Sequence, residues 1–216
     1  PNIIHVHHLM PLTWIARFIK IAYGLNFIVT VHGSELPTLE RDRRYPFLTS
    51  EALHKAVRII PNSFWTRDWM NRVLKDGFGD QIRVIPGGVD IDEFKKVDAG
   101  EIDKRFNLKG KKVVVFAGKL TPYKGVKYLV YAAKKIKGEV LILGEGSERK
   151  NLEEIVSKEQ IKNVRFIGHL GNDTKFLVKF YSRADVFVAP SVWDEPLGLV
   201  ILEAMACETP VVVTRK

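Results

Sequence analysis

The sequence predicts an α/β protein of two doubly wound, Rossmann-like domains that face each other. Short runs of β-branched and apolar residues alternate with helical periodicity throughout, a pattern typical of parallel sheets covered by crossover helices. The 216 residues, 46% of them hydrophobic, are enough for two compact domains. A central region rich in glycine and charge separates two series of strands, so we expect domains at 1–94 and 95–216.

The first series contains four predicted strands, at 3–7, 27–32, 57–61 and 82–86. Helices are predicted over 12–23 and 66–74. In the first of these helices, a spacing of 3.6 residues puts four apolar side chains on a common face: Ile15, Phe18, Ile19 and Ala22.

The second series contains five predicted strands, at 113–118, 139–144, 164–168, 185–190 and 210–214. Between the first two, a helical stripe is expected to face the core: Val126, Leu129, Val130, Ala133 and Ile136. Further helices are predicted over 148–157, 175–182 and 197–207. Ligands of such sheets bind at the carboxyl ends of the strands, where we expect a cleft.

The net charge and the single cysteine limit the kinds of binding partner and the cellular compartment that we expect. The net charge of +9 lies mostly in the second half, along helix faces. A solvated face explains it most simply and an anionic ligand or surface is the alternative, so we expect no nucleic-acid partner. The single Cys207 excludes an internal disulfide and indicates a small core residue in a reducing compartment. We therefore expect a cytoplasmic protein, and contact with the inner face of a membrane stays open.

The segment EPLGLVILE carries two carboxylates eight residues apart, Glu195 and Glu203. On one helix they would lie along one side, about 12 Å apart in height, so that one could hold a sugar and the other a ribose. The N–H groups of Gly198 and Leu199, at the start of that helix, suit a phosphate. The alternative is an acidic residue favoured by the helix dipole, with Glu203 as a surface residue.

Other motifs follow the strands of the second series. In FAGKLTPYKG, Lys119 comes directly after Gly118, and Lys124 lies near the start of the next helix. Two ammonium groups there could stabilise a diphosphate leaving group, as a metal ion does in other enzymes, although chance placement of lysines is the competing interpretation. In LILGEGSER, Gly144 opens a tight turn that lacks the full dinucleotide fingerprint. In FIGHL, Gly168 and His169 end a strand where backbone groups could contact a base.

Taken together, these motifs resemble the retaining GT-B glycosyltransferases of family 4, whose donor domain carries an E-x7-E motif, a basic pair and a G-x-G turn. Residues 113–214 resemble that donor domain. VIPGGVDIDEF (84–94) resembles the crossing between domains, and TVHGSE (30–35) a strand end of the acceptor domain. The resemblance implies an acceptor-side domain at 1–94 and a nucleotide-sugar domain at 95–216.

The resemblance also implies a role for each matched residue. Glu195 would contact the transferred sugar and Glu203 the ribose. Two lysines and two backbone N–H groups would hold the diphosphate: Lys119, Lys124, Gly198 and Leu199. His32 would lie across the cleft beside the reacting centre. The family usually has Arg at the position of Lys119, and a point charge replaces a bidentate fork there.

The implied reaction moves a hexosyl group from a UDP-, GDP- or ADP-linked sugar to a hydroxyl of a sugar or lipid-linked acceptor, with retention and without cofactor. No carboxylate nucleophile stands out beside His32. The resemblance implies a front-face reaction, in which the departing diphosphate helps to deprotonate the acceptor. The alternatives are a non-catalytic nucleotide-sugar-binding or partner-binding remnant and a 2-epimerase of the same architecture. Because both ends look cut, we expect the chain alone to bind donor nucleotide with little or no transfer.

Two patterns could suggest a metal, but we expect none. His5 and His7 share one face of a strand at a spacing that can bind zinc. Asp90 and Asp92 form an Asp-x-Asp that holds a divalent ion in other glycosyltransferases. Because this pair is far in sequence from the donor motifs, we interpret it as turn and cap chemistry.

Overall fold

The computed structural model describes residues 2–171 and 173–215 and divides into two compact units between Gly87 and Gly88. The division lies a few residues before the junction expected near residue 95. The reason is that the connecting segment packs with the second unit, where Phe94 is a buried member of the core and Val97 packs against it.

The first unit holds a parallel sheet of three strands in the order β1-β2-β3. Its helices and strands are β1 (Ile3–His7), α1 (Leu12–Tyr23), β2 (Asn26–Val31), α2 (Leu36–Arg41), α3 (Tyr45–Leu53), β3 (Arg58–Pro61) and α4 (Phe64–Leu74). The α4 helix begins after Ser63, whose hydroxyl accepts a hydrogen bond from the Thr66 N–H at 3.0 Å. Three predicted strands and both predicted helices are confirmed within two residues.

Two expectations for this unit are wrong. The segment 82–86 runs beside β3 without forming a regular strand: Ile82 makes an isolated parallel bridge with Ile59, and the N–H groups of Arg83 and Ile85 donate to the carbonyls of Ile59 and Pro61 at 2.9 and 3.1 Å. Pro61 in β3 has no N–H to donate back to this segment, so a regular ladder does not form. In α1 the residues packed into the core are Thr13 and Ala16, whereas Ile15 and Phe18, on the predicted apolar face, are exposed.

The second unit holds a parallel sheet of five strands in the order β6-β5-β4-β7-β8. Its helices and strands are α5 (Gly100–Phe106), β4 (Val113–Ala117), α6 (Val126–Ala133), β5 (Glu139–Leu143), α7 (Arg149–Lys158), β6 (Val164–Gly168), α8 (Thr174–Arg183), β7 (Val186–Ala189), α9 (Leu199–Ala206) and β8 (Val211–Val213). The chain builds outward from β4 to β6 on one side and then from β7 to β8 on the other. The strand order therefore reverses beside β4, the position at which doubly wound sheets bind ligands.

The cores of the second unit follow the predicted pattern. The apolar residues predicted on one face of α6 are buried in one core cluster, and Ile136, which follows the helix, is partly buried and packs against this cluster. Cys207 is a free, fully buried residue of the other core cluster, as expected. The sequence pattern missed α5, in which one fully buried side chain, Ile102, anchors a charged helix. In the described chain, no helix combines the length and apolarity needed to cross a membrane.

Candidate active site in the second unit

A cavity of about 550 Å³ opens at the carboxyl ends of β4, β5 and β6. Its walls come from the segments after these strands and from α8 and α9. Five of the residues predicted to bind the donor line it: Gly118, Lys119, Gly144, His169 and Glu203. A cavity at this edge of a parallel sheet is the expected position of a ligand site. Its walls include one lysine, Lys119, and two acidic side chains, Glu145 and Glu203.

The glycines after β5 allow two loops to pack backbone against backbone. A Cβ on Gly144 would lie 1.9 Å from the Gly118 carbonyl oxygen, and one on Gly146 would lie 2.2 Å from the Leu120 oxygen. Both glycines also have positive φ, +129° and +158°. The Leu120 N–H donates to the Glu145 carbonyl at 2.9 Å. The G-x-G turn therefore supports the loop that carries Lys119.

Gly168 and His169, both expected near the nucleotide base, differ in position: of the two, only His169 lines the cavity. The Gly168 carbonyl accepts from the Gly144 N–H at 2.8 Å and so continues the pairing of β5 with β6. His169 follows and lines the cavity. Gly198 and Leu199 start α9 as expected, with Gly198 as the N-cap and Leu199 as the first helical residue. The first N–H groups of a helix have no acceptor within it, which leaves them available to an anion.

Glu203 lies on α9 and is held by a tyrosine. Its Oε2 accepts a hydrogen bond from the Tyr181 hydroxyl at 2.8 Å. Burial raises the pKa of the Glu203 carboxyl; the bond from Tyr181 opposes this effect, and the charge of Glu93 adds to it. Sequence reasoning missed Tyr181. The available signal was its spacing of four residues from Leu177 on α8, since both side chains line the cavity.

Glu195 forms an ion pair with Lys124, at the end of the turn before α6. Its other oxygen, Oε2, accepts from the Ser191 hydroxyl at 2.8 Å. The prediction that Glu195 and Glu203 share one helix is wrong, because α9 begins only at Leu199. Gly198 takes a left-handed conformation with φ +68° and ends the preceding loop, so Glu195 lies on that loop. Lys119 lines the cavity, whereas Lys124 neutralises Glu195.

His32, in the first unit, directly follows β2 and belongs to a cluster of imidazoles. Its Nε2 lies 3.0 Å from Nδ1 of His7, and its ring centroid is 4.8 Å from that of His8. Burial lowers the pKa of His32; neighbouring His8 and His7 lower it further, while Glu35 acts in the opposite direction. The surroundings of His32 therefore favour the neutral form of its ring.

The residues that suggested metals have other partners. His5 Nε2 is 2.8 Å from the Thr30 hydroxyl. Across 2–171 and 173–215, no group of three or more His, Cys, Asp or Glu side chains is arranged to hold a metal ion. The Asp90 Oδ1 accepts the N–H groups of Asp92 and Glu93 at 2.9 and 3.2 Å, which confirms the turn and cap interpretation.

Family models match both halves of the sequence. A model described as glycosyl transferases group 1 matches residues 98–216, and one described as glycosyltransferase family 4 matches residues 1–93. The chain belongs to the group 1 glycosyl transferases. This membership agrees with the motifs that surround the cavity.

Individual relatives of this glycosyltransferase chain cover almost all of it. It is 28% identical to an uncharacterized glycosyltransferase of Methanocaldococcus jannaschii, over 99% of this chain and 56% of the relative. It is 30% identical to the D-inositol 3-phosphate glycosyltransferase of Mycobacteroides abscessus, over 98% of this chain and 50% of the relative. The chain thus spans about half the length of these curated relatives.

Solved structures confirm the α/β fold with parallel sheets. HepE of Anabaena, in complex with UDP and glucose, is 20% identical with a TM-score of 0.85, over 98% of this chain and 59% of the other. Sucrose-phosphate synthase from Thermosynechococcus elongatus is 28% identical with a TM-score of 0.83, over 98% and 55%. Both structures match the expected GT-B class.

Proposed function

We propose that this protein transfers a hexosyl group from a nucleoside diphosphate sugar to an acceptor hydroxyl, with retention of configuration. The bond from the anomeric carbon to the diphosphate breaks. A bond from that carbon to the acceptor oxygen forms on the same face, and the hydroxyl proton passes to the departing diphosphate. The reaction needs no cofactor or metal, because lysine and backbone N–H groups stabilise the leaving charge.

The observation that carries this proposal is the cavity in the second unit, which has Lys119 and Glu203 in its walls. A cation suits a diphosphate, and a carboxylate is a strong acceptor for ribose hydroxyls. Further support comes from HepE, whose solved complex contains UDP and glucose. We therefore assign the cavity to the nucleotide half of the donor.

The Lys124–Glu195 ion pair suits the other half of the donor. Glu195 would accept from hydroxyls of the transferred sugar, and Lys124 would donate to the diphosphate. The N–H groups of Gly198 and Leu199, at the start of α9, would bind the same phosphates. We assign His32 to the reacting centre on the resemblance of TVHGSE; its neutral ring could exchange hydrogen bonds with sugar hydroxyls.

A calorimetric panel tests the proposal. The chain would be titrated with UDP-, GDP- and ADP-linked glucose and with the free nucleotides, alongside a Lys127→Met control on the exposed side of α6. We expect one base to be preferred and the control to bind as the parent does. Absence of binding by all members of the panel would contradict the proposal. We further propose a sugar or lipid-linked acceptor and a cytoplasmic location, supported by the single reduced cysteine.

A further inference from the structure

Tyr181 is a fully buried residue that lines the cavity. Its ring packs edge-on against Phe187, with centroids 5.4 Å apart, and is tilted against Phe94 at 6.4 Å. Its carbonyl accepts from the Thr209 hydroxyl at 2.6 Å. Contacts with β7, with the connecting segment and with the loop between α9 and β8 therefore fix both the ring and the backbone of Tyr181.

The fixed hydroxyl donates to Oε2 of Glu203 at 2.8 Å. This bond occupies one carboxylate oxygen and sets the direction of the other. We propose that Tyr181 is a positioning residue, which holds the Glu203 carboxylate in the orientation that accepts hydrogen bonds from the ribose hydroxyls of the donor nucleotide. The inference rests on the proposed function and adds the source of ribose recognition.

Physical reasoning favours such a support. A glutamate has three side-chain torsions, and ordering them only when the nucleotide arrives would reduce affinity. The Tyr181 hydroxyl, which packing already fixes, orders the carboxylate before the nucleotide arrives, so this affinity is not lost. The residues that surround a well-organised binding site commonly act in this way. The same hydrogen bond favours the charged carboxylate, against the effects of burial and of Glu93 on the pKa of Glu203.

The test separates positioning from a purely structural role. The parent chain, Tyr181→Phe, Glu203→Gln and the double variant would be titrated with the best-bound of UDP, GDP and ADP, and with its 2′,3′-dideoxy analogue. We expect Tyr181→Phe to lose about tenfold in affinity for the ribonucleotide, which is the effect of losing one hydrogen bond to a charged group. Its affinity for the dideoxy analogue should change little. On the Glu203→Gln background, the Tyr181 change should not alter this discrimination further.

The matched control is Tyr128→Phe, which removes an exposed phenol from α6 and should change neither affinity. Equal losses for both nucleotides, or no loss for either, would overturn the positioning role. The ratio of the two affinities does not depend on the folded fraction, so a less stable variant still gives an answer. If the parent binds the ribonucleotide and the dideoxy analogue equally well, Glu203 does not recognise the ribose, and this inference is wrong while the proposed function stands. If the parent binds no nucleotide, the proposed function itself is wrong.

Discussion

Lys124 and Glu195 form an ion pair that joins the turn before α6 to the loop before α9. Both side chains are mostly buried, with relative exposures of 22% and 21%, so solvent screens the pair less than a surface pair. In the proposed site, one partner binds the diphosphate and the other the transferred sugar. The pair would therefore hold two groups on either side of the bond that breaks.

Replacing Glu195 by Gln should separate turnover from binding. The amide keeps the shape and can still accept from Ser191, but it no longer neutralises Lys124. We expect the transfer rate to fall by about 10²–10³, the scale of one lost group that stabilises a transition state. Nucleoside diphosphate affinity should hold or increase, because Lys124 is released.

Initial rates at saturating donor, together with calorimetry, measure the two effects of Glu195→Gln. Glu159→Gln is the matched control, because Glu159 pairs with Lys134 on the surface, away from the cavity residues. Parallel losses of affinity and rate would show that Glu195 acts in nucleotide binding instead.

Replacing Lys119 by Met should weaken diphosphate binding in particular. Methionine preserves the length of the side chain and removes the charge, so UDP affinity should fall while uridine affinity stays the same. Lys119→Arg should hold or tighten UDP, since the guanidinium offers a bidentate fork. Titration of both ligands against all variants gives the result. A loss of uridine binding equal to that of UDP would show that the Met variant disturbs the cavity itself.

The raised pKa of Glu203 predicts a dependence of stability on pH. A carboxyl with a raised pKa in the folded state binds its proton more tightly there, so its contribution to stability is present below the unfolded pKa and is lost as pH rises through the folded pKa. Glu203→Gln should therefore melt at a higher temperature than the parent at pH 7, with the difference shrinking as the pH falls through the folded pKa toward about 4. Melting curves from pH 4 to 8 measure this, and a lower melting temperature for the variant at pH 7 would be the contrary result.

Chelation should leave the reaction unaffected. The proposed stabilisation of the leaving group comes from lysines and backbone N–H groups, and Asp90 is occupied in capping its own turn. Transfer rates would be measured with EDTA and after addition of magnesium or manganese. Loss of activity on chelation with recovery on adding metal would disprove the metal-free reaction, and Asp92→Asn would then be the first variant to examine.

The strands of both sheets were predicted well from the sequence, because a buried parallel strand is a continuous run of β-branched residues. Such runs are uncommon in other kinds of secondary structure. Five of the residues that the sequence predicted to bind the donor also line one cavity, since the carboxyl ends of parallel strands meet at one edge of the sheet. The periodicity of α1 identified a helix but not the side that packs, and small Thr13 and Ala16 face the core. Periodicity alone does not show which face has a neighbour.

The errors at the site have similar causes. Glu195 was expected on the same helix as Glu203, but the left-handed conformation of Gly198, at the start of that helix, places Glu195 on the preceding loop. That conformation depends on packing that a spacing argument does not contain. Tyr181 was missed because a buried aromatic on a helix has the same pattern as any core residue. Its spacing from Leu177 could have placed it on the same side of α8, but its hydroxyl contact with Glu203 is seen only in the structure.

If the cavity after β4, β5 and β6 binds the donor nucleotide, as we propose, a structure of the chain with a nucleoside diphosphate should show the ligand there. We expect the diphosphate beside Lys119 and the start of α9, the ribose hydroxyls within hydrogen-bonding distance of Glu203, and Tyr181 still hydrogen-bonded to that carboxylate. A nucleotide located elsewhere, or one in the cavity whose ribose points away from Glu203, would contradict the proposal.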